Sequence, residues 1–497
     1  QNLSRYFLKS FRPRVASLGP HHHGDPKLKV VEELKPKFAH RFVSNIIKAA
    51  AGKKNFKTQG TDGEPSRGQI HTLIKEILGK IFGEIQELKK CYADANSTSK
   101  YSDEDLARML FLDGCFILQF IENRQGRNSE EPQMMKCHYE AFVGQDLLLL
   151  ENQVPFRVLQ ILAEQEGSYH RRMEMIVNFI YDGMIAKPES DEGHKWWEPQ
   201  PPAHLLELQR KIFLNHKQHK PEPDGAAKIN MLSTATKPGG VEEVNQRNTT
   251  AKAAGDNHQR SNGNWSFLAC IDKIDKKILP QICPRWGKRQ TKFNRFSYRN
   301  VKELAAVGIQ MKCSKTSYLT DVSFDSPVFQ LFGHLRLPPI TIDDSTGPKL
   351  LNLIAYEMCS EVADDDRGIT SFVCFLDSLI DHADDVKELR KARVIENRLG
   401  SDKEVAKLFN DISTDLVPNS RTYNKVMEDI QRHYDSKVKS WIALFINRYF
   451  SSPWTVAAAL AAVYVIFLNS AQTYFQVFPR PGSCDPICDY IIKRTHI

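Results

Sequence analysis

No two cysteines in this chain stand in the C-x2-C spacing that a tetrahedral zinc site usually uses, and ten cysteines spread over 497 residues make no disulfide scaffold. Also missing are G-x-x-x-x-G-K-[ST], G-x-G-x-x-G after a strand, G-x-S-x-G and H-E-x-x-H. The common loops for phosphate, dinucleotide, acyl-transfer and zinc-hydrolase chemistry therefore have no foothold. The first 25 residues hold no uninterrupted apolar run ahead of a small-residue cleavage site, so no signal peptide is expected there. An excess of one charge is lacking over most of the chain: residues 1 to 57 carry 13 Lys and Arg against 3 Asp and Glu, and the rest carries 55 against 57. The basic start alternates Lys27, Lys29, Lys35, Lys37 and Arg41 with Leu28, Val30, Val31, Leu34 and Phe38, the pattern of the solvated side of an amphipathic helix. A nucleic-acid partner is not expected.

What is present is helical periodicity. From Ile70 the residues Leu73, Ile74, Ile77, Leu78, Ile81, Phe82, Ile85 and Leu88 recur at steps of three and four, which predicts a long amphipathic helix. A second is expected from a cap at Ser102, with Asp103, Glu104 and Asp105 favouring its first turn. Asp146 to Gln153 contains four consecutive leucines and reads as a helix buried on most sides, kinked or restarted at Pro155. Residues 221 to 264 are rich in Gly, Pro, Ala, Thr, Asn and Lys and are expected to be a flexible insertion. Thr320 to Phe324 and Gln330 to Leu337 suggest a small hairpin. Helical patterns return at Lys349 to Cys359, Thr370 to His382, Ser401 to Phe409, and Thr422 to about Phe450.

Near the end, Trp441 to Phe478 is 38 residues with one charge, Arg448. The apolar centre, Pro453 to Leu468, spans about 24 Å as a helix, and extension to Tyr474 brings it to the roughly 30 Å of a hydrocarbon core. Trp454 and Tyr474 then sit where an aromatic belt forms, with Leu460, Val463, Ile466 and Leu468 facing lipid. The competing reading is a buried helix of the soluble domain, since Ala-rich stretches also suit interior packing. Cys484 and Cys488 follow in a short polar tail, where a disulfide and juxtamembrane acylation are both open.

These blocks together resemble a known plant family. Ser17-Leu18-Gly19-Pro20-His21-His22-His23-Gly24, Asp113-Gly114-Cys115-Phe116-Ile117, Asp146 to Phe156 with its Leu149, Glu151, Asn152, Gln153 and Pro155, and His204-Leu205-Leu206 resemble the first half of domain of unknown function 247 (uncharacterised protein family 0481). Leu337 to Thr346 with Asp343 and Asp344, Asn352 to Glu357, Leu399 to Ala406, and Tyr449 to Trp454 with Pro453 resemble its second half. The chain departs from the pattern in the 221 to 264 stretch, at Gly347-Pro348-Lys349 and in its long tail after Pro479. The resemblance implies a plant source, a C-terminal transmembrane helix and no established enzymatic activity; some members have been tied to pollen–stigma self-incompatibility recognition in grasses.

The expected architecture is mainly α: a basic segment (1–16), a single large helical domain in two halves (17–220 and 265–452) around the 221–264 insertion, a minor β-hairpin element, a transmembrane helix (453–475) and a tail (476–497). A single-pass protein of the plasma membrane or endomembrane is expected, with the bilayer and an unidentified protein as partners. No catalytic, cofactor-binding or metal-binding residue is expected. Adjacent His21, His22 and His23 should point apart, in a turn that buries one ring. Asp343 and Asp344 should cap the helix that follows. A hydrolase using Asp343, or Asp381 with His382, is the alternative. Sequons at Asn2, Asn96, Asn248 and Asn264 permit a lumenal or extracellular domain.

Overall fold

The computed structural model describes residues 9–53, 65–92, 95–126, 135–183, 200–214, 300–326, 332–359, 367–419, 421–435, 453–478 and 485–494. The sequence-based readings for the 221–264 insertion, Asn2, Asn248, Asn264 and Cys484 lie outside these residues.

The first half builds α1 (Lys35–Lys53), α2 (Arg67–Gly83), α3 (Asp103–Gln125), α4 (Cys137–Asp146), α5 (Phe156–Ala163), α6 (Tyr169–Asp182) and α7 (Leu205–Leu214). Helix α3 is the axis, with α1, α2, α5 and α6 packed around it. It starts where the sequence places it: the Ser102 hydroxyl accepts the Asp105 N–H at 3.1 Å, and three carboxylates occupy the first turn. Leu106, Leu110, Phe116, Ile117 and Ile121 are buried along it, and Phe116 meets Phe38 of α1 edge-on at 5.0 Å. Helix α5 lies close because position 114 is glycine, where a Cβ would sit 2.5 Å from Leu162 Cδ1 and 3.1 Å from Val158 Cγ1. The helix predicted from Ile70 begins with a capping box between Ser66 and Gln69, breaks at Glu84 and resumes as Ile85–Lys90.

The leucine run is a correction. Helix α4 ends at Asp146, and residues 147–155 are irregular and, apart from half-buried Glu151, buried. Polar side chains within the run take the backbone groups that a helix would have paired, as described below.

The second half contains β1 (Ile309–Cys313), β2 (Ser323–Asp325), β3 (Gly333–Leu337), β4 (Ile340–Ile342), α8 (Thr346–Cys359), α9 (Gly368–Asp377), α10 (Ala383–Lys391), β5 (Ile395–Asn397), α11 (Asp402–Ser413) and α12 (Asn424–Tyr434). The strands expected as a hairpin do pair antiparallel, Ser323 opposite Arg336, but β3 also pairs parallel with β1, Ile309 opposite Gly333, in the order β1-β3-β2. A separate parallel pair joins β4 to β5. Helix α9 stops at Asp377, short of His382, whereas α11 starts at the expected cap, with the Ser401 hydroxyl accepting the Glu404 N–H at 3.3 Å.

Two buried links tie the halves together. Asn352 of α8 accepts the Leu150 N–H and donates to the Ser10 carbonyl, both at 2.8 Å. Arg210 of α7 pairs with Glu357 of α8 at 2.8 Å, and Glu357 also accepts the Ile369 and Thr370 N–H groups at 2.9 and 2.8 Å.

Beyond them lie α13 (Pro453–Val477) and α14 (Asp485–Arg494). Among the described residues, Trp454–Val477 is the one helix long and apolar enough to cross a membrane: 24 residues, mean hydropathy 1.7, none of its apolar window buried. Leu460, Val463, Ile466 and Phe467 are 65%, 63%, 64% and 67% exposed, so this helix is not packed as a core helix.

Candidate functional site

Residues of the first-half signature blocks converge on the segment 14–24, which is held by Asp113 in the middle of α3 and by Asp146 at the end of α4. Asp146 holds its first part: its carboxylate accepts the backbone N–H of Arg14, Val15 and Ala16 at 2.9, 2.8 and 2.9 Å. Burial raises the Asp146 pKa to about 6, against these three donors, which favour its ionised form. Asn152, fully buried, continues the clamp. Its carbonyl oxygen accepts the Leu18 N–H at 2.7 Å, and its amide donates to the carbonyls of Ala16 and Asp146 at 3.0 and 2.9 Å. Gln153 donates to the carbonyls of Leu147 and Leu149 at 2.9 and 2.7 Å and accepts the Leu206 N–H at 3.3 Å. Asn152 and Gln153 thus satisfy buried backbone groups, as their position beside four leucines suggests.

Gly19 follows, with φ +67° and no room for a side chain, since a Cβ would lie 2.7 Å from the Gln153 carbonyl oxygen. Its N–H donates to Asp113 of α3 at 2.7 Å. The other Asp113 oxygen lies 2.6 Å from the Lys35 ammonium, which also pairs with Glu32 and donates to the Ser17 carbonyl at 2.7 Å. Lys35 is 1% exposed, a correction to its reading as part of a solvated face; Leu28, Val31 and Phe38 are buried as expected, and Val30 is exposed. Burial pulls the Lys35 pKa down, but Asp113 and Glu32 together carry it above the ordinary value, so Lys35 is charged. No periodicity could have shown this, because the compensating Asp113 lies far along the chain.

The turn after Gly19 carries the three histidines. Their rings do not all diverge: His21 and His22 stack edge-on at 4.6 Å, and both Nε2 atoms approach Glu151 Oε2, at 3.7 and 3.8 Å. His23 turns away, to Glu32 at 3.7 Å and the ring of Tyr101. Burial, then the charges of His21 and Arg12, lowers the His22 pKa to about 4, with Asp25 opposing. Burial raises Glu151 to about 7, with Arg12 opposing. Gly24, at φ +85°, closes the turn. Pro20, Leu149 and Pro155 are buried around the clamp, and Pro155 leads into α5.

The acid/base candidates are elsewhere, at the starts of α8 and α10. One Asp343 oxygen accepts the Ser345 N–H and hydroxyl at 2.9 and 2.6 Å and the Thr346 hydroxyl at 3.1 Å, at the start of α8, while Asp344 is exposed. Burial alone would raise Asp343, but Ser345, Lys349 and Thr346 bring it below the usual carboxylate range. His382 precedes α10, where Asp385 accepts the N–H groups of Asp381 and His382 at 3.2 and 2.9 Å. Asp381 accepts from the Asn300 amide at 3.2 Å. Pro453 and Trp454 open α13, with Trp454 84% exposed.

Comparison with known proteins gives one family. The family described as "Plant protein of unknown function" (domain of unknown function 247) matches residues 1–468. Two UPF0481 proteins of Arabidopsis thaliana are similar along most of their length. One is 26% identical over 472 residues, covering 94% of this chain and 82% of the relative; the other is 22% identical over 501 residues, covering 94% and 87%. No solved structure matches.

Proposed function

From the premise that this chain belongs to the plant family of domain of unknown function 247, we propose that it is a single-pass membrane protein whose helical domain presents a recognition surface to a protein partner. The observation that carries the anchor is the Trp454–Val477 helix, whose apolar side chains face away from the rest of the chain instead of joining its core. At about 1.5 Å per residue its 24 residues reach roughly 36 Å, enough for a hydrocarbon core of about 30 Å. With the anchor goes a proposed location in the plasma membrane or an endomembrane. Recognition is favoured over hydrolysis because Asp343 and Asp385 spend their carboxylates on helix starts, and Asp381 and His382 are held with them rather than paired across a cleft.

Carbonate extraction of membranes bearing the full-length chain tests the anchor. Retention in the pellet is the expected result, and release into the supernatant refutes it. Replacing Asp343 and His382 by Ala should leave capture of a cross-linked partner unchanged, whereas a hydrolytic turnover abolished by both changes in a still folded protein would establish the enzyme reading.

A further inference from the structure

We infer that His21, His22 and Glu151 form a binding site for a divalent transition metal of the zinc class. Their donor atoms, the two Nε2 and a carboxylate oxygen, all lie within 4.8 Å of one another, and the two nitrogens stand 3.7 and 3.8 Å from Glu151 Oε2. Those separations are too long for hydrogen bonds. They are a few tenths of an ångström wider than the roughly 3.3 Å between two ligands that each sit about 2.0–2.1 Å from a tetrahedral zinc ion. Rotation of both rings would close that difference.

A second observation points the same way. The Nε2 of His22 is buried and makes no hydrogen bond. A buried imidazole nitrogen normally has a partner, and here the carboxylate 3.8 Å away would share the metal with it. The convergence of two adjacent histidines, which a helix or strand would forbid, comes from the turn between the left-handed Gly19 and Gly24, anchored by Asp113 and Asn152. Glu151 is fixed from the other side, because the next two residues are clamped through their side chains.

The donor set selects the metal. Two imidazoles and one carboxylate suit zinc and its transition-metal neighbours, whereas calcium and magnesium take oxygen cages. Three protein ligands leave a fourth position, on the side where His21 is 28% exposed. Two charged groups bear on the site: Asp25 favours and Arg12 opposes positive charge at His22, while Arg12 also favours the ionised form of Glu151. Arg12 is exposed, so its side chain can move aside. This inference is independent of the membrane reading.

The test is titration of the full-length chain, purified in detergent and stripped of metal, with Zn(II) alone by calorimetry and with Co(II) alone by visible absorption. Expected are one Zn(II) per chain and a Co(II) ligand-field spectrum. His22→Ala and Glu151→Gln should each weaken Zn(II) by more than the roughly 10–100-fold that loss of an outer-shell partner costs. His23→Ala should bind as the parent does. Melting of each apo variant shows whether it folds, and His21→Ala, which removes the most exposed of the three ligands, replaces any variant that does not. Failure of the folded parent to bind Zn(II), or binding unchanged in folded His21→Ala and Glu151→Gln, overturns the proposal.

Discussion

Asn152 serves three buried backbone groups with one side chain, so its removal is costly in a way its size does not suggest. Asn152→Ala leaves the Leu18 N–H and the Ala16 and Asp146 carbonyls without that partner. At about 1–3 kcal/mol for each unsatisfied buried group, partly relieved by local relaxation, a loss of about 3–5 kcal/mol is expected in urea unfolding, with faster proteolysis before residue 24. An equal midpoint for parent and variant would refute the clamp. His204 gives a residue-scale pH prediction. Burial is the main cause holding its pKa near 4, and its Nδ1 accepts the Glu207 N–H at 3.1 Å, so it folds neutral. Between pH 6.5 and 4 the unfolded chain binds a proton at this residue that the folded chain refuses, and stability drawn from His204 falls as pH falls. Glu151 and Asp146, raised to about 7 and 6, act in the opposite sense, so the readout is a difference. Relative to the parent, His204→Asn, which keeps a capping acceptor, should gain about 2–3 kcal/mol on going from pH 7 to pH 4. A constant difference across that range would contradict a neutral buried His204.

At the scale of elements, the approach of α5 to α3 rests on the missing side chain at Gly114. Alanine there would gain up to about 1 kcal/mol of helix propensity but press its methyl against Leu162 and Val158, and overpacking of this kind costs about 1–3 kcal/mol. Gly114→Ala should therefore lower stability by about 1–2 kcal/mol, and in Gly114→Ala/Leu162→Ala the two losses should sum to more than the double variant shows. Additive losses would mean that the helices can part without cost. Elements whose ends are set locally were legible in the sequence: the caps at Ser102 and Ser401 begin α3 and α11 as read. The leucine run was not, because periodicity reports burial and not hydrogen bonding. Leu147 to Leu150 are buried as a helix would require, while Asn152, Gln153 and Asn352 give the backbone another way to be satisfied. Strands of three to five residues, such as β1, β4 and β5, carry too few alternations to separate from loops, and parallel pairing leaves no turn signal between partners.

At the scale of the whole molecule, what sequence reading missed are links between distant positions: Asn352 to Ser10, Arg210 to Glu357 and Lys35 to Asp113. Single sequences show which residues are polar but not which of them meet. The same links make the fate of α13 a sharp question. If Val456, Leu460, Val463, Val465, Ile466, Phe467 and Leu468 belonged to the core that these links close, removing them would forfeit roughly 1.5–3 kcal/mol apiece. The total, roughly 10–20 kcal/mol, is comparable to the 5–15 kcal/mol by which a whole domain is stable, so a chain ending before Pro453 would not be stably folded. If they face lipid instead, the same deletion removes nothing the domain relies on, and the shortened chain should remain in solution, monomeric, with the melting temperature of the parent in detergent. No intermediate result is compatible with both arrangements. A truncated chain that is soluble and melts within a few degrees of the parent supports the anchor, whereas one that aggregates or melts without a cooperative transition places α13 inside the globular domain and removes the physical basis of the membrane-bound reading.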